Sequence, residues 1–188
     1  MTSQDDAVVQ IVGALEALVG LPYDGEPVDQ LQHALQCADL ARRDGADPEL
    51  VLAALLHDLA RSPAVVGEPF DSGPVDHGEQ GARWLAPLLG ERVAELAAAH
   101  VEAKRYLVAV EPAYADGLSD VSTRTLQAQG GPMTAEEITA FERLPGWRDA
   151  VRLRRWDDAA KDPEAVVPGI EAYVSVLLTQ SRGLHTRR

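Results

Sequence analysis

Apolar positions recur along this chain at intervals of three and four, with little strict alternation, so the pattern predicts helices rather than strands. Val8, Ile11, Val12, Leu15, Leu18 and Val19 share one face of a first helix, which Ser3 is placed to cap and Gly20 to end. The turn-rich stretch Leu21 to Val28, with Asp24-Gly25 at its bend, leads into a second helix over about 28–43. Leu31, Ala34, Leu35, Ala38 and Ala41 lie on its inner side, with His33 beside them. Asp47 and Pro48 read as the cap and first residue of a third helix. From Leu50 to Leu56 every residue is apolar, so this helix has no face for water and belongs at the centre of the core.

Beyond it, Arg61 to Pro74 is rich in Pro and Gly and reads as a surface loop and candidate lid. His77 opens a helix packed through Trp84 and Leu85 and limited by Pro87. After Gly90 one long helix carries Val93, Leu96, Ala97, His100, Val101, Lys104, Leu107 and Val108 on a single face. Residues 111–133 combine a short capped helix with a glycine turn, and Thr134 with Glu137 forms a capping box for a helix ended by Pro145. A helix over 147–161 places Ala150, Leu153, Asp157 and Ala160 on one face. Pro163 and Pro168 then interrupt the chain before a packing helix around 170–178. The prediction is an all-α fold with one domain over 1–188. Its core spans about 21–161, and a C-terminal packing helix covers about 168–180.

At 188 residues the chain is long enough for one proper core. Its single cysteine, Cys37, excludes an internal disulfide; no signal peptide or apolar membrane span is visible, and the cytoplasm is the expected location. A net charge of -13 argues against a nucleic-acid surface. Basic groups around any anionic ligand must therefore be local.

Five histidines are present, of which His185 lies in a basic tail. The others stand in the order His33, His57-Asp58, His77, His100, with Asp157-Asp158 downstream. Four imidazoles and two carboxylates exceed the needs of one metal ion. Such donors suit iron, manganese or zinc, and an adjacent His-Asp pair lets the carboxylate bridge two ions. Taken singly, each histidine is more often a satisfied core or surface residue. Lys104 stands one turn beyond His100, either snorkelling to water or neutralising an anion. Arg154 lies one turn before Asp157, either pairing with Asp157 or Asp158 or gripping an anionic substrate. Tyr23 and Glu26 are held in a loop that can reach the site, unless Glu26 is merely solvated; Ser122, Thr123 and Gln129 are further possible anion contacts.

His33, His57-Asp58, His100 and Asp157 resemble the signature of the HD-domain superfamily, with His77 as the extra ligand of its two-metal members. Most of that superfamily are phosphohydrolases; a smaller branch, related to inositol oxygenase, uses a mixed-valent di-iron centre with oxygen. Tyr23 to Gln30, His100 to Leu107, Leu126 to Met133 and Leu153 to Lys161 together resemble the HD-domain oxygenases of phosphonate breakdown. These include the enzyme that cleaves 2-amino-1-hydroxyethylphosphonate and its trimethylammonium relative.

The resemblance implies two iron ions, Fe2+/Fe3+, one held by His33, His57, Asp58 and Asp157 and the other by Asp58, His77 and His100. It implies a small hydroxyphosphonate substrate and O2, with Lys104, Arg154, Ser122 and Thr123 or Gln129 around the phosphonate. Tyr23 would guard the open position of the first iron, and Glu26 would face a cationic amine. Many members carry Gly-His after the His-Asp pair, whereas this chain has Ala60-Arg61, so Arg61 takes over an anion contact or alters selectivity. The alternatives are a two-metal phosphohydrolase acting on a phosphate ester, whose ligand order would be the same, and a non-enzymatic metal-bound sensor, which the compact chain disfavours.

Overall fold

The computed structural model describes residues 4–23, 25–66 and 77–185. The expected cap at Ser3, the turn residue Asp24 and the part of the candidate lid over 67–74 lie outside the described residues. Helices dominate throughout: α1 (Gln4–Glu16), α2 (Gln30–Arg43), α3 (Pro48–Leu56), α4 (Pro63–Val66), α5 (His77–Leu89), α6 (Glu91–Ala98), α7 (His100–Val110), α8 (Pro112–Asp116), α9 (Asp120–Ala128), α10 (Ala135–Phe141), α11 (Trp147–Ala159) and α12 (Val174–His185). Short 3-10 turns at Leu59–Arg61 and Ile170–Tyr173 complete the order. Among the described residues the only β feature is a single bridge between Pro22 and Asp29, so the fold is all-α. None of these helices is long and apolar enough to cross a membrane.

α3 is the axis of the packing. Asp47 caps it by accepting from the Leu50 N–H, Pro48 occupies its first turn, and Leu50 to Leu56 are all buried. It packs against α2, α6, α11 and α12, while α1 closes the far side against α12. Fully burying each leucine of this helix contributes roughly 1.5–3 kcal/mol, which explains why a segment with no polar face is stable only here. A second cluster, Ala103, Tyr106, Leu107, Met133, Phe141 and Ala150, joins α7 to α10 and α11.

The second helix starts two residues later than the pattern suggests, because Asp29 forms a capping box with Gln32. Both capping expectations at Asp47 and Thr134 hold. Pro87 does not end its helix. It sits inside α5, which runs two residues further, and Gly90, at φ +96°, turns the chain into α6. The long helix expected after Gly90 is two helices, broken at Ala99. As a result Val101 and Val108 are only half-buried, while Val93, Leu96, Ala97, His100, Lys104 and Leu107 stay inside. The C-terminal helix runs on to His185, beyond the expected end near Leu178.

Leu52 is fully buried in α3 and remote from the polar end of that helix. Leu52→Ala should destabilise the protein by about 2–5 kcal/mol, measured by urea unfolding, because the close-packed helix leaves a cavity that its neighbours do not fill.

Candidate metal centre

Four helix ends converge at one place: the C-terminal end of α3, the first residues of α5 and α7, and the end of α11, with α2 alongside. His57 follows α3, and its Nδ1 stands 2.8 Å from the Ala54 carbonyl. His100 opens α7 with Nδ1 2.6 Å from the Ala97 carbonyl. In each case the imidazole takes a carbonyl three residues back, where a helix stops. This accounts for the break at Ala99: the His100 ring satisfies an end that a continuous helix would not have. His33, on α2, places its Nδ1 2.9 Å from the Ala160 carbonyl at the end of α11.

These contacts fix the tautomers. A carbonyl only accepts, so each Nδ1 carries the proton and each Nε2 of the neutral ring is left with its lone pair. The His33 and His57 Nε2 atoms are 3.2 Å apart, and those of His77 and His100 are 3.1 Å apart. At the first pair two lone pairs face each other at this distance, which calls for a cation between them; at the second, the His100 lone pair faces the His77 ring. The carboxylates complete two sets. Asp157 Oδ1 lies 3.3 Å from His33 Nε2 and 3.8 Å from His57 Nε2. Asp58 Oδ2 is 3.7 Å from His57 Nε2, whereas its Oδ1 is 3.4 Å from His77 Nε2 and 3.8 Å from His100 Nε2. Asp58 Oδ1 is buried and receives no hydrogen bond among the described residues. Thus His33, His57 and Asp58 form one group able to hold a metal ion, Asp58, His77 and His100 form a second, and Asp58 belongs to both. Imidazole and carboxylate donors of this kind fit a divalent first-row metal.

Electrostatics favours the same occupant. Burial is the main influence on Asp58 and on its own would raise the carboxyl pKa, but Arg61 and the three imidazoles outweigh it and hold the group well below the usual carboxylate range. Asp157 is likewise held ionised against its burial, chiefly by Arg154. Burial pushes His77 and His100 below the ordinary histidine value, so both rings are neutral at pH 7, as metal ligands must be.

Beside this cluster lies a cationic wall. Lys104 is buried, with Nζ donating to Thr125 Oγ1 at 2.7 Å, and burial together with Arg154 brings its pKa down to about 7. Arg154 donates through Nη1 to Asp157 Oδ2 at 2.6 Å and through Nη2 to Ser122 Oγ at 3.5 Å; it also pairs with Asp158. Its Nε reaches the Tyr114 hydroxyl at 3.1 Å, and that hydroxyl in turn donates to Asp158. Ser122 is therefore beside Arg154, as expected, but Thr123 is not: one step round α9, it is exposed. Thr125, three residues beyond Ser122, takes the inward position. Gln129 is half-buried as the C-cap of α9.

The loop from Gly20 to Asp29 closes over the other side. The Tyr23 ring stacks on His33 with centroids 4.0 Å apart, and its hydroxyl donates to Asp157 Oδ1 at 3.3 Å. Burial, then Asp157 and Asp58, raise its pKa well above the ordinary phenol value, so the donor proton stays in place. Glu26 is not solvated. Lys161 donates to its Oε1 at 2.9 Å, and although burial pushes its pKa up, this bond and Ser119 bring it below the ordinary value. Lys161 lies one turn after Asp157, a spacing that could have flagged it. Tyr114 reaches Arg154 from 40 positions away, and no sequence signal points to it.

An HD domain model matches residues 31–143. The chain is 43% identical over 157 residues to hydroxymethylphosphonate dioxygenase of Gimesia maris, an alignment covering 82% of this chain and 78% of that protein. It is 36% identical over 148 residues to the glycine-betaine-forming [1-hydroxy-2-(trimethylamino)ethyl]phosphonate dioxygenase of Leisingera caerulea, covering 78% of this chain and 76% of that one. Family model, helical architecture and the paired His/Asp groups coincide on the same residues, and the chain belongs to the HD-domain family, in the branch that holds the phosphonate dioxygenases.

Proposed function

We propose that this protein is an oxygenase that cleaves the C–P bond of a 1-hydroxyphosphonate with O2, giving a carboxylic acid and inorganic phosphate. The reaction balances without an external reductant: R–CH(OH)–PO3H2 and O2 contain the atoms of R–COOH and H3PO4. The observation that carries this reading is the shared Asp58 between two opposed imidazole pairs, set against a buried Lys104 and Arg154. Hydroxyphosphonate dioxygenases as relatives support it. The metal is proposed to be iron, because oxygen chemistry needs a redox-active ion and zinc has none to offer. His33, His57, Asp58 and Asp157 would hold one ion, and Asp58, His77 and His100 the other. When bound, the Fe2+/Fe3+ pair supplies oxygen activation and positive charge toward the phosphonate. The whole of 1–188 is proposed to serve this one site as a single domain.

Side chains do the rest. Lys104 and Arg154 face the phosphonate dianion, with Ser122 beside them and Gln129 and Arg61 as further contacts. Because Arg154 is tied to Asp157 Oδ2, the other oxygen of that carboxylate is left for His33, His57 and Tyr23. Tyr23 covers the first group until substrate displaces it. Glu26 is the partner for a positively charged amino or trimethylammonium substituent, which would take the place of the Lys161 ammonium. A substrate without such a group leaves the Glu26–Lys161 pair intact.

The deciding experiment follows O2 consumption and phosphate release together in iron-loaded protein supplied with 1-hydroxyphosphonates. Equal, oxygen-dependent amounts are expected; phosphate freed under anaerobic conditions would overturn the oxygenase in favour of hydrolysis. Asp58→Ala should reduce metal content from about two ions per chain toward none, read by elemental analysis, since the lost carboxylate serves both groups. For Lys104 the sign follows from its pKa of about 7 in the folded protein. The protonated form binds the dianion, so kcat/KM should fall as pH rises through about 7. Lys104→Arg should remove that falling limb, and Lys104→Ala should keep the metal while raising KM about tenfold or more.

A further inference from the structure

The 3-10 turn after α3 aims a permanent cation at the shared carboxylate. The Arg61 N–H donates to the Asp58 carbonyl at 2.9 Å, which closes the turn and brings the side chain back over its own start. Arg61 Nε then lies 3.4 Å from Asp58 Oδ1, with the arginine side chain only 12% exposed. That oxygen is the one that faces His77 and His100, while Oδ2 faces His57. A metal ion held by Oδ1, His77 and His100 would therefore bind an oxygen that already has a guanidinium nitrogen 3.4 Å away. Arginine does not shed its proton to make room, as a histidine at this position could.

From this geometry we propose that Arg61 couples the second metal site to an oxyanion. Without an anion, Arg61 competes with the metal for Asp58 Oδ1 and weakens binding at the His77/His100 site. A phosphonate or phosphate dianion beside the metal compensates both positive charges, so metal and anion bind together more tightly than either alone. The linkage is reciprocal: the anion tightens the metal by the factor with which the metal tightens the anion. The first site, which meets Oδ2 and Asp157, lies outside this competition. The inference rests on the two-metal reading above and adds to it a residue that sets the order of loading, favouring metal retention while substrate or product phosphate is present.

The test is an anaerobic calorimetric titration of metal-free protein with Mn2+, a redox-quiet probe, with and without inorganic phosphate. Wild-type protein should bind two equivalents. Phosphate should tighten the weaker site about tenfold and leave the stronger site unchanged. Arg61→Gln should tighten the weaker site in phosphate-free buffer and shrink the phosphate effect severalfold, whereas Arg61→Lys, which keeps the charge, should retain coupling. Two bound equivalents with no phosphate effect in wild-type protein, or with the same effect in Arg61→Gln, would overturn the role of Arg61 and leave the two-metal reading standing. Fewer than two equivalents in phosphate-loaded wild-type protein would remove that reading and the coupling with it.

Discussion

Everything at the centre depends on where the imidazole lone pairs of His33, His57 and His100 point, and the backbone decides that. His57 and His100 spend their Nδ1 protons on carbonyls at the ends of α3 and α6, and His33 does the same at the end of α11. Each of these bonds satisfies a helix end that lies in the core, where an unpaired carbonyl would cost about 1–3 kcal/mol. The same bond fixes the ring and leaves Nε2 inward. Helix termination and ligand presentation are thus one interaction, so the break at Ala99 is part of the metal site rather than an irregularity in packing.

This also explains how much of the molecule could be read from its sequence. The apolar run Leu50–Leu56 announced the buried axis because a segment without a polar face has one place to go. The His-Asp doublet announced the site because a charge at the end of that segment needs a partner. Asp157 rather than Asp158 as the inward carboxylate followed from helical spacing alone, and Asp158 is the more exposed of the two. The break at Ala99 was not legible, since nothing in the residues between Val93 and Val108 is a helix breaker; a side-chain bond to Ala97 made it. Nor was Thr125 chosen over Thr123, because the phase of α9 depends on its Ser119 cap and on which side meets Arg154. Tyr114 was invisible for a simpler reason: its partners lie on α11, and long-range contacts leave no local pattern.

The charge balance around the centre is the opposite of that of the whole molecule. A chain with a net charge of -13 places Arg61 beside Asp58, Arg154 beside Asp157, and a buried Lys104 near Arg154. Arg154 shares its charge with Asp157 and Asp158, and Lys161 shares its own with Glu26, so what Arg154 offers a ligand is mainly N–H donors. Lys104 is different. Among the described residues it donates to the neutral Thr125 hydroxyl, and burial has brought its pKa to about 7. Two unit charges about 4 Å apart at an effective dielectric of about 20 interact by roughly 4 kcal/mol, so a dianion beside Lys104 gains far more than one at the protein surface. Metal ions at the His/Asp groups would make these surroundings more positive still. Positive charges at the metal groups and at Lys104 together favour an anionic ligand over a neutral one, in keeping with the phosphonate reading proposed above.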